Sequence, residues 1–134
     1  MNALYNHANK QKQLLVKDLT KLEDILKNES EIATKSNIIL STQGGIQTTL
    51  ISLKKTIEQY KQQYENIIKE NDNTDEGENE EILKMKNRLD VLKKEYTSFD
   101  SKFNDMKNKF DTFKKKMLFS KSEDVNTTLL QNRN

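Results

Sequence analysis

Apolar residues recur at intervals of three and four in three stretches of the chain, with polar segments between them. In the first stretch Leu4, Ala8, Gln11, Leu15, Leu19, Leu22 and Leu26, with Ile25 beside them, share one helical face. This predicts an amphipathic helix over about 2–29. The second, Ile46, Leu50, Leu53, Ile57, Tyr60, Tyr64 and Ile67, predicts a helix over about 42–69. Its expected N-cap is Ser41 or Thr42, whose side-chain oxygen takes up a first-turn amide, and Gly44-Gly45 then falls in or just before the first turn. The third, Ile82, Met85, Leu89, Leu92, Tyr96, Phe99, Phe103, Met106, Phe110, Phe113 and Met117, alternates three and four without a fault. It predicts a helix over about 80–117, roughly 36 residues and about 54 Å long.

The segments between the stripes read differently. Asn28-Glu29-Ser30-Glu31 and Thr34-Lys35-Ser36-Asn37 interrupt the first pattern. Ile38-Ile39-Leu40 is too short and too apolar to assign by period, so the region reads as a connection. From Glu70 to Glu81 there are seven acidic residues, one Gly and no basic residue, a composition that cannot bury itself and reads as a solvated loop. Its last acids favour the positive amino end of the following helix. Each stripe needs partners along its length, and three antiparallel helices bury all three at once. The expected fold is all-α: an antiparallel three-helix bundle over 1–119 with a long third helix, followed by a flexible, disordered linker or tail over 120–134. A second reading is a structural coiled-coil oligomerisation protein, in which the third helix pairs with a copy of itself.

Composition narrows the chemistry. With 134 residues, 33% apolar and 33% charged, the chain suits one domain with a thin core rather than a deep pocket between two layers. The absence of Cys excludes disulfides and thiolate metal sites. A net charge of +2 does not call for nucleic acid as a partner. The longest apolar runs, Ile38-Ile39-Leu40 and Met117-Leu118-Phe119, fall far short of the roughly 20 residues that span a bilayer. The start of the chain lacks the basic and apolar segments of a secretory signal, so a cytosol-facing chain is expected. His7 is the single histidine, which leaves little from which to build a nucleophilic triad or a metal site.

Gly44-Gly45 matches no phosphate-binding loop. Asp72, Thr74 and Glu76 before Gly77 approximate a calcium loop, but Leu83 stands where the closing Glu belongs. No enzyme, no catalytic residue, no metal and no cofactor are expected. The aromatic residues of the third stripe occupy core-facing positions, which disfavours a base-stacking platform and a nucleic-acid partner. Lys107, Lys109, Lys114, Lys115, Lys116 and Lys121 make the end of the third helix basic. That suits the negative pole of a helix, and it is also the kind of surface that lies against an anionic bilayer.

Particular words then matter more than period. Met1-Asn2-Ala3-Leu4-Tyr5-Asn6-His7-Ala8, followed by Lys10, Gln11 and Lys12, closely resembles the start of the fungal membrin-type SNAREs of the endoplasmic reticulum to Golgi route. Ser41-Thr42-Gln43-Gly44-Gly45-Ile46-Gln47-Thr48-Thr49-Leu50, continuing to Tyr60, is similar to the second helix of that family. From Ile82 to Phe119 the similarity is one of pattern.

The resemblance implies a Qb-type SNARE, whose amino-terminal antiparallel three-helix domain, called Habc, precedes a SNARE motif and a carboxy-terminal membrane anchor. Neither a second long heptad region with a central Gln nor an anchor follows Phe119, so the chain resembles the amino-terminal domain alone. Helix three is not itself the SNARE motif on this reading, since its central layers are Tyr96, Phe99 and Phe103. The implied role is regulation and recruitment in vesicle transport and membrane fusion. The implied partners are other SNAREs, the protein's own SNARE motif, and tethering or coat factors, with the membrane reached only through the missing anchor. The implied place is the cytosolic face of the endoplasmic reticulum, transport vesicles and Golgi membranes, with the isolated domain a monomer. Candidate partner-binding residues are Tyr5 and His7 near the start of helix one, and Lys114, Lys115 and Lys116 at the end of helix three.

Overall fold

The computed structural model describes the backbone of residues 2–70 and 80–132, and side-chain surroundings as far as Leu118. The acidic segment read as a solvated loop, with Asp72, Thr74, Glu76 and Gly77, lies outside the described residues except at its two ends. Four helices follow one another: α1 Asn2–Leu26, α2 Glu29–Thr34, α3 Ser36–Glu70 and α4 Glu80–Asn132.

The three long helices run up, down and up. Gln11 meets Ser52 and Asp18 approaches Gly45, so α1 and α3 are antiparallel. Along the other seam Tyr5 pairs with Arg88, Lys12 with Glu95 and Glu23 with Lys102, an ascending series that makes α1 and α4 parallel. The predicted stripes meet on the bundle axis. Leu15, Leu19 and Leu22 of α1, Ile46, Leu53 and Tyr60 of α3, and Leu92 and Phe103 of α4 are the most deeply buried large side chains. The rings of Phe103 and Phe110 are buried in this core, whereas Tyr96 and Phe99 pack half-buried at its edge.

The connection between the first two stripes is folded more tightly than its composition implies. α1 stops at Leu26, three residues earlier than expected, through the closing bonds of Lys27 N–H to Asp24 O and Asn28 N–H to Ile25 O. Asn28 then adopts an extended backbone and caps α2, its side-chain oxygen accepting from Ser30 N–H at 3.0 Å. Glu29 and Glu31 occupy the first turn of α2, where the helix dipole favours negative charge.

Only Lys35 separates α2 from α3, which starts at Ser36 rather than at 42. Ser41 and Thr42 are therefore helix interior and not an N-cap, and Ile38-Ile39-Leu40 is helix rather than connection. The physical reason is burial: Ile39 and Thr42 are both buried, and no Pro or Gly between them and Asn28 stops the helix. Gly44-Gly45 accordingly lies more than two turns inside α3, with no positive φ at either residue. At the far end the backbone of α4 continues to Asn132, through a stretch read from sequence as a linker; it too contains neither Pro nor Gly.

Candidate functional site

The proposed partner-binding residues do not form one site. Tyr5 sits half-buried where α1, α3 and α4 meet. Its ring lies 6.3 Å from that of Tyr60, and the Arg88 guanidinium stands 4.2 Å from its centroid. Such a cation–π contact is worth about 0.5–1 kcal/mol near a surface. Tyr5 is thus occupied within the bundle. Tyr60 beneath it is 1% exposed and its hydroxyl lacks a hydrogen-bond partner of good geometry. Burial holds the Tyr60 phenol above its ordinary pKa, and the neighbouring Arg88 charge opposes that shift.

His7, two residues after Tyr5, is exposed on the outer face of α1, since two residues on a helix differ by about 200°. Lys114, Lys115 and Lys116 are exposed on α4 at the other end of the bundle, more than four turns before the helix itself ends at Asn132. The 26 residues from Arg88 to Lys114 put roughly 40 Å of helix between the two groups. None of the three lysines forms an ion pair among the described residues.

A concave surface that sequence reasoning missed lies at that end of the bundle. α2, the first turns of α3 and the Phe110–Leu118 part of α4 enclose a cleft of about 240 Å³. Ile39 and Phe110 form its floor, Phe113 and Met117 its half-buried wall, and Lys114 and Asp111 stand at its edge. Leu40 and Leu118, also lining it, are 63% and 59% exposed. A second opening, bounded by Leu26, Ile32, Met106 and Phe113, lies on the other side of α2. Ile32 and Phe113 border both openings, and α2 itself has no buried residue.

Part of the signal was present in the sequence, at the end of the third stripe, whereas Ile38-Ile39-Leu40 carries it only because the stretch is helical. Three consecutive apolar residues on a helix cannot all face one core, so Ile38-Ile39-Leu40 and Met117-Leu118-Phe119 each had to present an apolar side chain elsewhere.

Among the described residues no group of three or more His, Asp or Glu side chains is placed to hold a metal ion, and no described helix is long and apolar enough to cross a membrane. An apolar cleft edged by isolated charges takes the side chains of a partner helix or extended segment.

Comparison with known proteins gives one consistent result. The chain is 39% identical over 137 residues to the protein transport protein BOS1 of Kluyveromyces lactis, a match that takes in all of this chain and 50% of that protein. It is 38% identical over 113 residues to the protein of the same name from Candida glabrata, covering 83% of this chain and 41% of that one. The corresponding figure for Debaryomyces hansenii is 35% over 111 residues, again 83% and 41%. The chain spans about half the length of the curated relatives it matches. No family model matches it, and no solved structure matches at a significant level.

Proposed function

Over the half of its relatives' length that it spans, this chain belongs to the membrin-type SNARE family of protein transport, and from that premise we propose that it is the family's regulatory and recruitment domain. It works by protein–protein binding in endoplasmic reticulum to Golgi vesicle transport, at the cytosolic face of those membranes. Membrane attachment belongs to a carboxy-terminal anchor elsewhere in the protein. The partners are other SNAREs, the protein's own SNARE motif, and tethering or coat factors.

One observation carries the reading. The cleft beside α2 leaves Leu40 and Leu118 largely exposed next to half-buried Phe113 and Met117, so the bundle keeps an unfilled apolar surface after its own three stripes are satisfied. Full burial of two such leucines is worth about 1.5–3 kcal/mol each, enough to bias assembly of a helical fusion complex if the partner is bound in one state and not in another. Tyr5 is seated between Tyr60 and Arg88, and the reading therefore gives the binding role to Lys114 and the cleft it borders.

The chain contains no Cys, so Ser101→Cys on the exposed face of α4 gives one labelling position outside the clefts. The labelled chain is titrated with the SNARE motif of the full-length protein and then with motifs of other transport SNAREs. Saturable micromolar binding that Leu40→Asp weakens at least about tenfold supports the proposal. Binding by none of these motifs, and by none of the tether or coat components of the same route, overturns it.

A further inference from the structure

α2 is the one described element without a buried residue. Its six residues, Glu29-Ser30-Glu31-Ile32-Ala33-Thr34, include a single large apolar side chain, and Ile32 packs half-buried against the edge of the core. The polar bonds of its side chains and first-turn amides close within the segment. Ser30 N–H donates to the Asn28 side chain, Thr34 Oγ1 donates to Ser30 O, and Lys35 Nζ donates to Glu31. The cations beside it are engaged elsewhere, Lys27 by Asp24, Lys102 by Glu23 and Lys109 by Asp105. Glu29, which lines the same opening as these lysines, forms no ion pair among the described residues. Ile32 is therefore the main attachment of α2 to the long helices.

Both ends of α2 are jointed. Asn28 leaves α1 with an extended backbone, at φ −132° and ψ 108°, and Lys35, at φ −109° and ψ 31°, breaks the helix before α3. A short helix between two non-helical residues, with few buried apolar contacts, belongs to the class of segment that opens locally while the rest of a fold stays packed.

Ile32 also divides the surface of α4. Met106 lines the opening on one side of α2 and Phe110 and Met117 the opening on the other, while Phe113 borders both with Ile32. Met106, Phe110, Phe113 and Met117 follow at intervals of four, three and four, so they form one stripe along about 16 Å of α4. Withdrawing Ile32 removes the side chain that stands between the two openings, of about 470 and 240 Å³, and leaves that stripe as the floor of a single groove.

We propose that α2 is a hinged strap. It swings as a unit about Asn28 and Lys35 while the three long helices stay packed, and its Ile32 is the plug that occupies the groove when the strap is closed. A partner lying along the whole groove binds only the open form, so its apparent affinity falls with the fraction of open strap. That consequence rests on reading the chain as a binding domain. The strap itself is tested without a partner, so its failure leaves that reading standing.

Amide hydrogen exchange of the full chain is the first test. Ile32, Ala33, Thr34 and Lys35 are expected to share one protection factor, at least about 100-fold below that of Leu19, Leu53 and Phe103. Asn28→Ala removes the cap bond to Ser30 N–H. It is expected to lower the shared factor about fivefold and to leave Leu53 and Phe103 unchanged. Protection that is absent, that is graded from one end of α2 to the other, or that equals that of Leu53 overturns the strap: α2 then has no closed state, frays, or opens only with the bundle.

The second test asks whether opening joins the two sides. Met106 and Met117 line the openings on opposite sides of α2, and their methyl signals are followed during titration with the apolar probe anilinonaphthalene sulfonate. The probe is expected to shift both methyls with one dissociation constant, and to bind Asn28→Ala about fivefold more tightly because the open form is that much more populated. A shift at one methyl alone, or an affinity that Asn28→Ala leaves unchanged, overturns the proposal.

Discussion

Tyr60 joins three helices through one ring: it is buried in the core, Tyr5 of α1 lies against it, and Arg88 of α4 acts on its hydroxyl. The stripe alone placed Tyr60 inside, because it falls on the seven-residue course of Ile46, Leu53 and Tyr60. Nothing in the spacing paired it with Tyr5 or Arg88, which are 55 and 28 positions away.

The burial has a consequence for pH. Desolvation raises the Tyr60 phenol above the ordinary value of 10.0, against the opposing effect of Arg88. Tyr96 is raised by its burial and by the charge of Asp100. In both cases the folded protein holds its proton at a pH where the unfolded chain has lost it. The associated stability is therefore complete below pH 10 and declines as pH rises through the folded-state values. Thermal melts in a pH series are expected to hold steady up to the ordinary tyrosine range and fall above it. Phenolate absorbance in Tyr60→Phe is expected to lack one of the late-ionising groups. An unchanged high-pH profile in that variant would remove Tyr60 from this account.

At the scale of the elements, α3 is where sequence and structure differ most. Period located its second part, from Ile46 onward, because four-three spacing is independent of what the helix packs against. Its first part was illegible for the opposite reason: Ile38-Ile39-Leu40 has no period, and only the burial of Ile39 and Thr42 commits those residues to helix. The same extension changes the meaning of Gly44-Gly45. The sequence places the pair in or just before a first turn, where a glycine's conformational freedom has a use. Instead, a Cβ on Gly44 would meet nothing within 4 Å, and one on Gly45 would meet only Asp18 Oδ2 at 3.8 Å, an ordinary contact. A glycine inside a helix costs about 0.5–1 kcal/mol relative to alanine. Gly44→Ala is therefore expected to stabilise the protein by about that amount, seen as an upward shift of a few degrees in the thermal midpoint by circular dichroism. Destabilisation would mean that this position serves a contact absent from the bundle itself.

For the whole molecule, the question is whether the long stripe of α4 is satisfied internally. Met85, Leu89, Leu92, Phe103, Met106 and Phe110 are buried in one cluster with α1 and α3, so most of the seam that a coiled-coil dimer would use is already covered. Light scattering across a wide concentration range is expected to return the 15.7 kDa of a single chain. A mass that doubles with concentration would favour the oligomerisation reading instead. The candidate residues show the same dependence on global arrangement. Tyr5 and Lys114 are equivalent candidates by position in sequence, yet packing draws one into the bundle and leaves the other bordering an open cleft.

By itself the sequence determined the helical class, the three stripes, the central core and, through its opening words and the Ser41–Tyr60 stretch, the family. Those properties are local, since periodicity and residue identity are written along the chain. Tertiary structure decided where α1 ends and α3 begins, that a capped six-residue helix lies between them, and which apolar side chains stay uncovered. It also brought Lys12 of α1 beside Glu95 of α4. These outcomes depend on burial and on charges far apart in sequence becoming neighbours, and both are set only when the helices pack.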